Sequence, residues 1–198
     1  MKYAVEIGLR ADNPATDVKL PNQKTDGYHS WTDAEIEQFE AYHGRETKAR
    51  LALTLLLYTG QRRGDVIRMG RQHIRDGAIH VRQQKTGIEL AIPIHATLAA
   101  IIAQTSADHL TLLTTQTGKP FSAAGFGNWF RDRCNEAGLP RCSAHGLRKA
   151  AARRLAEAGC TMHEIASITG HASLSEVQRY TKAADQARLA RAAMEKAK

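Results

Sequence analysis

The sequence is poor in cysteine, proline and aromatic residues and has no long hydrophobic run. Its 198 residues include three cysteines, five prolines and 6% aromatics. Cys134, Cys142 and Cys160 are odd in number and lack Cys-x-x-Cys spacing, so neither a disulfide frame nor a zinc knuckle organises the chain, and a reducing cytoplasm is expected. They read as small buried apolar residues. The longest apolar run, Leu51 to Tyr58, is far short of the roughly 20 residues a membrane helix needs. Met1–Glu6 has no signal-peptide core. The nine histidines are scattered without metal-ligand spacing, and His163-Glu164 lacks the second histidine of a zincin helix. Gly118-Lys119 lacks the upstream glycine of a P-loop, and Arg63-Gly64-Asp65 spells a cell-adhesion tripeptide inside an expected helix, where it reads as chance.

Positive charge is in excess. With 28 Lys+Arg against 20 Asp+Glu the formal net charge is +8. Hydrophobic residues at 42% and charged residues at 24% are ordinary for one globular domain. A surplus of this size suits a polyanionic partner, of which nucleic acid is the commonest; the ordinary alternative is a basic surface kept soluble by repulsion.

Residues 1–30 read as an approach segment with turn signals at Asn13-Pro14 and Leu20-Pro21-Asn22 and a polar stretch over 23–30, as if a module preceded it. The compact part opens with the capping box Thr32-Asp33-Ala34-Glu35, and the helix it starts ends at Gly44. Further helices are expected over 46–58, 63–69, 96–105, 122–137, 143–158, 162–169 and 174–182, with an Ala-rich helical tail over 184–198. Between them the period drops to two: Ile79 and Val81, then Ile88, Leu90 and Ile92, predict a hairpin with Lys85-Thr86-Gly87 at its tip and Asp76-Gly77 as the turn into it. The fold class is mainly α with a small antiparallel sheet.

Polar residues cluster at element ends. Arg62 follows Gly60 by two residues, with Asp65 one helical turn on. Lys85 tops the hairpin. His145 and Arg148 share a face at a helix start, opposite Leu147, Ala151 and Leu155. His171 follows the helix-ending Gly170, and Tyr180 lies nine residues on. Taken singly these read as a surface Arg–Asp pair, a solvated turn lysine and a core tyrosine.

Taken in order, Thr-Gly-Gln-Arg, the hairpin lysine, His-Gly-Leu-Arg, Thr-Gly-His and Gln-Arg-Tyr-Thr resemble the catalytic domain of the tyrosine recombinase (phage integrase) family over about residues 30–183. The wording looks like bacterial prophage or genomic-island integrases. Lys149 stands where many members have a second histidine, and Thr169 where a leucine often precedes Gly-His.

The resemblance implies the tyrosine recombinase catalytic-domain fold over 31–183, with 1–30 as the linker from a core-binding domain and 184–198 as a tail docking on a neighbouring protomer. It implies attack by Tyr180 on a DNA phosphodiester, a 3′-phosphotyrosyl intermediate and strand exchange without ATP. Arg62 and Arg148 would clamp the phosphate, His171 would hydrogen-bond it, His145 would assist Tyr180, Lys85 would protonate the leaving 5′-oxygen and Asp65 would hold Arg62. With two guanidiniums present, no metal or cofactor is expected. Surplus cations, among them Arg68, Arg71, Arg82, Arg131, Arg153 and Arg179, with Arg75, Arg133, Arg141 and Arg154, would meet DNA phosphates. The expected partner is double-stranded DNA, bound as a tetramer, with a monomer when free, in the bacterial cytoplasm at the nucleoid. The alternatives are type IB topoisomerase-like relaxation and a non-catalytic DNA-binding module.

Overall fold

The computed structural model describes residues 1–16, 18, 27–105 and 108–197, without the side chains of 179, 183–185 and 187–189. The expected turn at Leu20-Pro21-Asn22 and the polar residues 23–26 lie outside the described residues, as do the side chains of Arg179 and Leu189.

A short helix, α1 (Lys2–Glu6), lies in the approach segment. The compact part begins with α2 (Asp33–Tyr42), whose capping box forms as expected. Next comes α3 (Lys48–Thr59), which is buried almost all round. Such a helix is stabilised by apolar burial on every side rather than by one stripe, and α3 lies at the centre of the core. Beyond it lie α4 (Arg63–Val66) and a 3₁₀ turn, Arg71–His73. Helix was expected on to 69; it stops at Val66, and Ile67 and Met69 are buried in the turn that follows.

Three antiparallel strands follow in sequence order: β1 (Ile74–Arg75), β2 (Ala78–Arg82) and β3 (Glu89–Pro93). Arg75 pairs with Ala78, so Asp76-Gly77 forms a two-residue turn. Ile79 faces Ile92 in the β2–β3 register, and both are buried. Strand β1 escapes the sequence because two residues cannot display an alternation.

Helices α5 (Ala96–Gln104), α6 (Ala123–Glu136), α7 (Ala144–Glu157) and α8 (Met162–Thr169) match the expected spans to within a residue or so. Helix α7 buries Leu147, Ala150, Ala151 and Ala152 and packs on α3; the small side chains let the two backbones come close. Instead of a helix followed by a separate tail, α9 runs unbroken over Leu174–Lys196 and packs on α7 and α8. The division expected at 183/184 is therefore not a break in the helix. Among the described residues no helix is long and apolar enough to cross a membrane.

Candidate active site

Two glycines end helices at the site. Gly60 (φ 61°) closes α3 and Gly170 (φ 67°) closes α8, both left-handed. That conformation favours glycine, and a Cβ on Gly170 would lie 2.3 Å from Gln83 Nε2. These turns bring the α3–α4 loop, the hairpin root and the end of α8 together.

At the junction sits a hydrogen-bonded set that sequence reasoning missed. Gln61 Nε2 donates to the carbonyls of Thr59 (3.0 Å) and Ile168 (2.8 Å). Gln83, 1% exposed, donates from Nε2 to Gln61 Oε1 (2.6 Å) and the Thr169 carbonyl (2.8 Å). Its Oε1 accepts from Arg62 Nη1 (2.9 Å) and Thr86 Oγ1 (2.7 Å). Gln61 stands within the Thr-Gly-Gln-Arg motif, but an uncharged amide gives no sequence signal that it will be buried.

Arg148 is 5% exposed. Its Nη1 donates to the carbonyls of Gly60 and Thr169, both at 2.7 Å. Its Nη2 is buried and has no hydrogen-bond partner among the described residues. Burial, then the positive charge of Arg62, lower its pKa to about 10, while Tyr180 and Asp65 oppose the shift; it stays charged at neutral pH.

His171 Nδ1 lies 2.6 Å from Thr169 Oγ1, and its ring centroid is 6.2 Å from that of Tyr180. Burial and Arg148 press its pKa down to about 4, with Arg62 and His145 adding to the fall and Glu176 opposing it. Tyr180 packs beside Ile165 and Val177. His145 keeps an exposed edge, yet the protein around it, followed by Lys149, Arg148, Arg62 and Arg63, lowers its pKa. The ring packs on Tyr28 at 4.6 Å, and Lys149 Nζ donates to the Tyr28 carbonyl at 2.6 Å. The lysine that departs from the family pattern thus ties the approach segment to α7.

A cleft of about 350 Å³ runs between the hairpin tip and α7, lined by Arg62, Lys85, Arg131 and His145 among others. Lys85 is exposed on the turn. All six expected catalytic side chains are thereby brought together: three line this cleft, and Arg148, His171 and Tyr180 adjoin them through the couplings just given.

Several supporting assignments change. Asp65 was expected to hold Arg62, but its Oδ1 accepts from the Gln84 backbone N–H at 2.9 Å and anchors the hairpin, while Gln83 holds Arg62. Arg71 has a structural role as well: its Nη2 closes the end of α5 on the carbonyls of Ile102 (2.9 Å) and Thr105 (2.5 Å). Arg153 is likewise committed, to Glu157 at 2.6 Å and Asp33 at 2.9 Å. Arg133 pairs with Glu136, and Arg154 lies 3.8 Å from Asp33. Arg131 does line the cleft. Arg68, Arg75 and Arg82 lie along a second groove of about 590 Å³ beside the sheet. Arg141 is exposed.

Among the described residues, the fold also gathers one set of possible metal ligands, His29, Glu35 and Cys142, with ligand atoms within 4.8 Å of one another. His29 Nε2 lies 2.8 Å from both carboxylate oxygens, and Glu35 also serves the cap of α2. Burial, reinforced by Glu35, raises the Cys142 thiol to about 12, which leaves it protonated. Glu35 thus hydrogen-bonds both the His29 ring and the Cys142 thiol.

The chain is similar to several known proteins. The chain is 31% identical over 147 residues to an integrase of Escherichia phage HK022, a match covering 70% of this chain and 41% of that protein. It is 28% identical over 185 residues to a shufflon-specific DNA recombinase of Escherichia coli, covering 89% and 46%. It thus spans less than half the length of these relatives. Among solved structures, a lambda integrase (75–356) dimer bound to a COC′ core site superposes with TM-score 0.74 at 23% identity, over 91% of this chain and 68% of that one. The lambda integrase catalytic core superposes with TM-score 0.62 at 25% identity, over 73% and 91%. Residues 31–187 match the phage integrase family model, and the chain belongs to that family.

Proposed function

We propose that the protein breaks and rejoins DNA through Tyr180, as the catalytic part of a site-specific recombinase. The observation that carries the reading is that Arg62, Lys85 and His145 line one basic cleft and that Arg148, His171 and Tyr180 adjoin them. A phenol with pKa near 10 is a poor nucleophile until its proton is taken. Tyr180 Oη attacks phosphorus, and the bond to the 5′-oxygen breaks. Negative charge gathers on the two non-bridging oxygens, where the planar forks of Arg62 and Arg148 suit it. Arg148 is held by two carbonyls and keeps Nη2 for this contact. Fixed donors of this kind cost little reorganisation during the reaction. Lys85, at the hairpin tip, gives a proton to the departing oxygen. The phosphotyrosyl bond keeps the energy of the broken link, so another 5′-hydroxyl reverses the step without nucleotide hydrolysis.

The reading extends to duplex DNA as partner and to the bacterial cytoplasm, at the nucleoid, as its place. Residues 1–30 serve as the linker from a core-binding domain, 31–183 as the catalytic domain and 184–198 as the tail. The related structures include a lambda integrase tetramer bound to a Holliday junction. That supports assembly on DNA; the C-terminal part of α9 is the contact proposed for it, with the protein monomeric when free.

The test is covalent capture from a pool of nicked duplexes with randomised centres. Detergent-resistant adducts are sequenced, and one enriched sequence is expected. EDTA leaves adduct formation unchanged, and Tyr180→Phe abolishes it. Persistence of the adduct in Tyr180→Phe removes Tyr180 as nucleophile. A chain that relaxes supercoiled plasmid but exchanges no strands between two captured sites is topoisomerase-like instead.

A further inference from the structure

Tyr28 is 56% exposed, and its place is fixed by the backbone around it rather than by burial of its ring. The residues that follow it lie along the first turn of α7, the turn that carries His145. Trp31 is fully buried, and its indole Nε1 donates to the Ser143 carbonyl at 2.9 Å. The His29 carbonyl comes so close to Gly146 that a Cβ there would lie 2.2 Å from its oxygen. From the next turn of α7, Lys149 Nζ donates to the Tyr28 carbonyl at 2.6 Å. So placed, the Tyr28 ring lies 4.6 Å from the ring of His145, tilted by 47°. That is the separation of a packed aromatic pair. Tyr28 is no part of the buried core, and it lines the same cleft as Arg62, Lys85 and His145. An imidazole with an exposed edge turns broadly about its last side-chain bond unless a neighbour packs on its face. At His145 that neighbour is Tyr28.

We propose that Tyr28 is a positioning residue of the active site: held in place by Lys149, its ring packs on His145 and fixes the orientation of that imidazole in the cleft. The inference rests on the recombinase reading and extends its site to the end of the approach segment. Tyr28 makes and breaks no bond in the reaction. It acts through His145, because a reacting group displaced by about 1 Å from its productive place slows the chemistry. The arrangement also uses two residues of α7 that the reaction does not. Gly146 leaves room for the His29 carbonyl, and Lys149 is long enough to reach the Tyr28 carbonyl from one turn away. The charged groups facing His145 are Lys149 and Arg148 on α7 and Arg62 and Arg63 at the start of α4, with Lys85 of the hairpin lining the same cleft.

Single-turnover adduct formation on the captured nicked duplex is measured against DNA concentration for the wild type, Tyr28→Ala and Tyr28→Phe. The histidine ring protons of each are followed by NMR through a pH titration without DNA. Tyr28→Ala is expected to slow the saturating rate about tenfold and to leave the half-saturating DNA concentration unchanged. Tyr28→Phe keeps the wild-type rate. In the wild type a nuclear Overhauser contact joins the Tyr28 and His145 rings. In Tyr28→Ala the titration of His145 moves up toward the ordinary histidine value, because burial is the largest cause of its lowering and one face of the ring is opened to water. The absence of the ring contact in the wild type overturns the proposal, as does a Tyr28→Ala variant of wild-type rate. A Tyr28→Phe variant as slow as Tyr28→Ala overturns it by giving the role to the hydroxyl. A loss confined to half-saturation overturns it by making Tyr28 a DNA contact. If Tyr28→Ala does not fold, the wild-type ring contact and Tyr28→Leu, which lacks the flat ring, decide. Should the contact and the titration be as stated while the wild type forms no adduct on any duplex, the recombinase reading fails instead.

Discussion

The floor of the cleft and its hairpin rim are built on opposite plans. On the floor, Arg148 is 5% exposed and bonded to two carbonyls, and Arg62 is steadied by a glutamine that is itself 1% exposed. On the rim, Lys85 stands exposed on a turn tied down at its root through Gln83 and the Asp65–Gln84 bond, with Thr86 beside it bonded to Gln83. On the proposed function, the difference follows from the work each side does. Charge stabilisation depends on donors already in place when charge develops. Proton delivery depends on reach, which an exposed turn supplies.

The sharpest way to break this comparison is Arg148→Lys. One ammonium cannot hold two carbonyls and also meet a phosphate as a planar fork does, so single-turnover adduct formation is expected to fall by about 10²–10³-fold. A near-normal rate would show that the floor needs charge but not geometry. Lys85→Ala should slow the same step by about 10²-fold with no change in melting temperature. A duplex with sulfur at the 5′-bridging position should restore its rate, because a thiol of pKa about 8.5 leaves without that proton. Failure of the sulfur substrate to rescue would take the acid role from Lys85.

Gln83→Leu tests the root that joins both sides. It strips buried partners from Arg62, Gln61 and the Thr169 carbonyl, and a loss of about 2 kcal/mol in denaturant unfolding is expected. Acid should weaken the floor. His171 titrates near 6.5 when unfolded and at about 4 in the fold. The unfolded chain therefore binds the extra proton between those values, and stability rises with pH across that window and levels above it. His145, lowered in the same direction, adds to the trend. The expected loss on going from pH 6.5 to 4 is on the order of 2 kcal/mol, and His171→Gln should flatten the profile. The smallest effect separates working cations from structural ones. Arg131→Ala should lower the salt slope of DNA affinity by about one, whereas Arg71→Ala should leave the slope alone and lower the melting temperature.

Most of the helical frame was legible in the sequence, because capping boxes, glycine stops and the switch from period four to period two are local signals. Helix α8, with its Thr161–Glu164 box and Gly170, agrees to the residue. Where a local signal was missing the reading failed. The two-residue strand β1 is too short to alternate. The Ala-rich stretch after 183 has no stop that would separate it from α9, and the helix runs on to Lys196. The six candidate side chains were named from their order along the chain, but the residues that hold them were not. Gln61, Gln83 and Tyr28 act through partners 21 to 117 residues away, as in Arg62–Gln83, Gln61–Ile168 and the Tyr28–His145 contact.

The sequence by itself determined which chemistry is present: a basic, mainly helical chain carrying a phenol, two guanidiniums, two imidazoles and an amine at fixed positions along it. Tertiary structure decided which arginines are spent on carbonyls and carboxylates and which face the cleft. It also decided that Asp65 holds a hairpin rather than Arg62. Periodicity and capping depend on neighbours within one or two turns and are therefore written in the order of residues. The partner of a buried donor is set by what folding brings beside it, and that appears only when the chain has closed on itself.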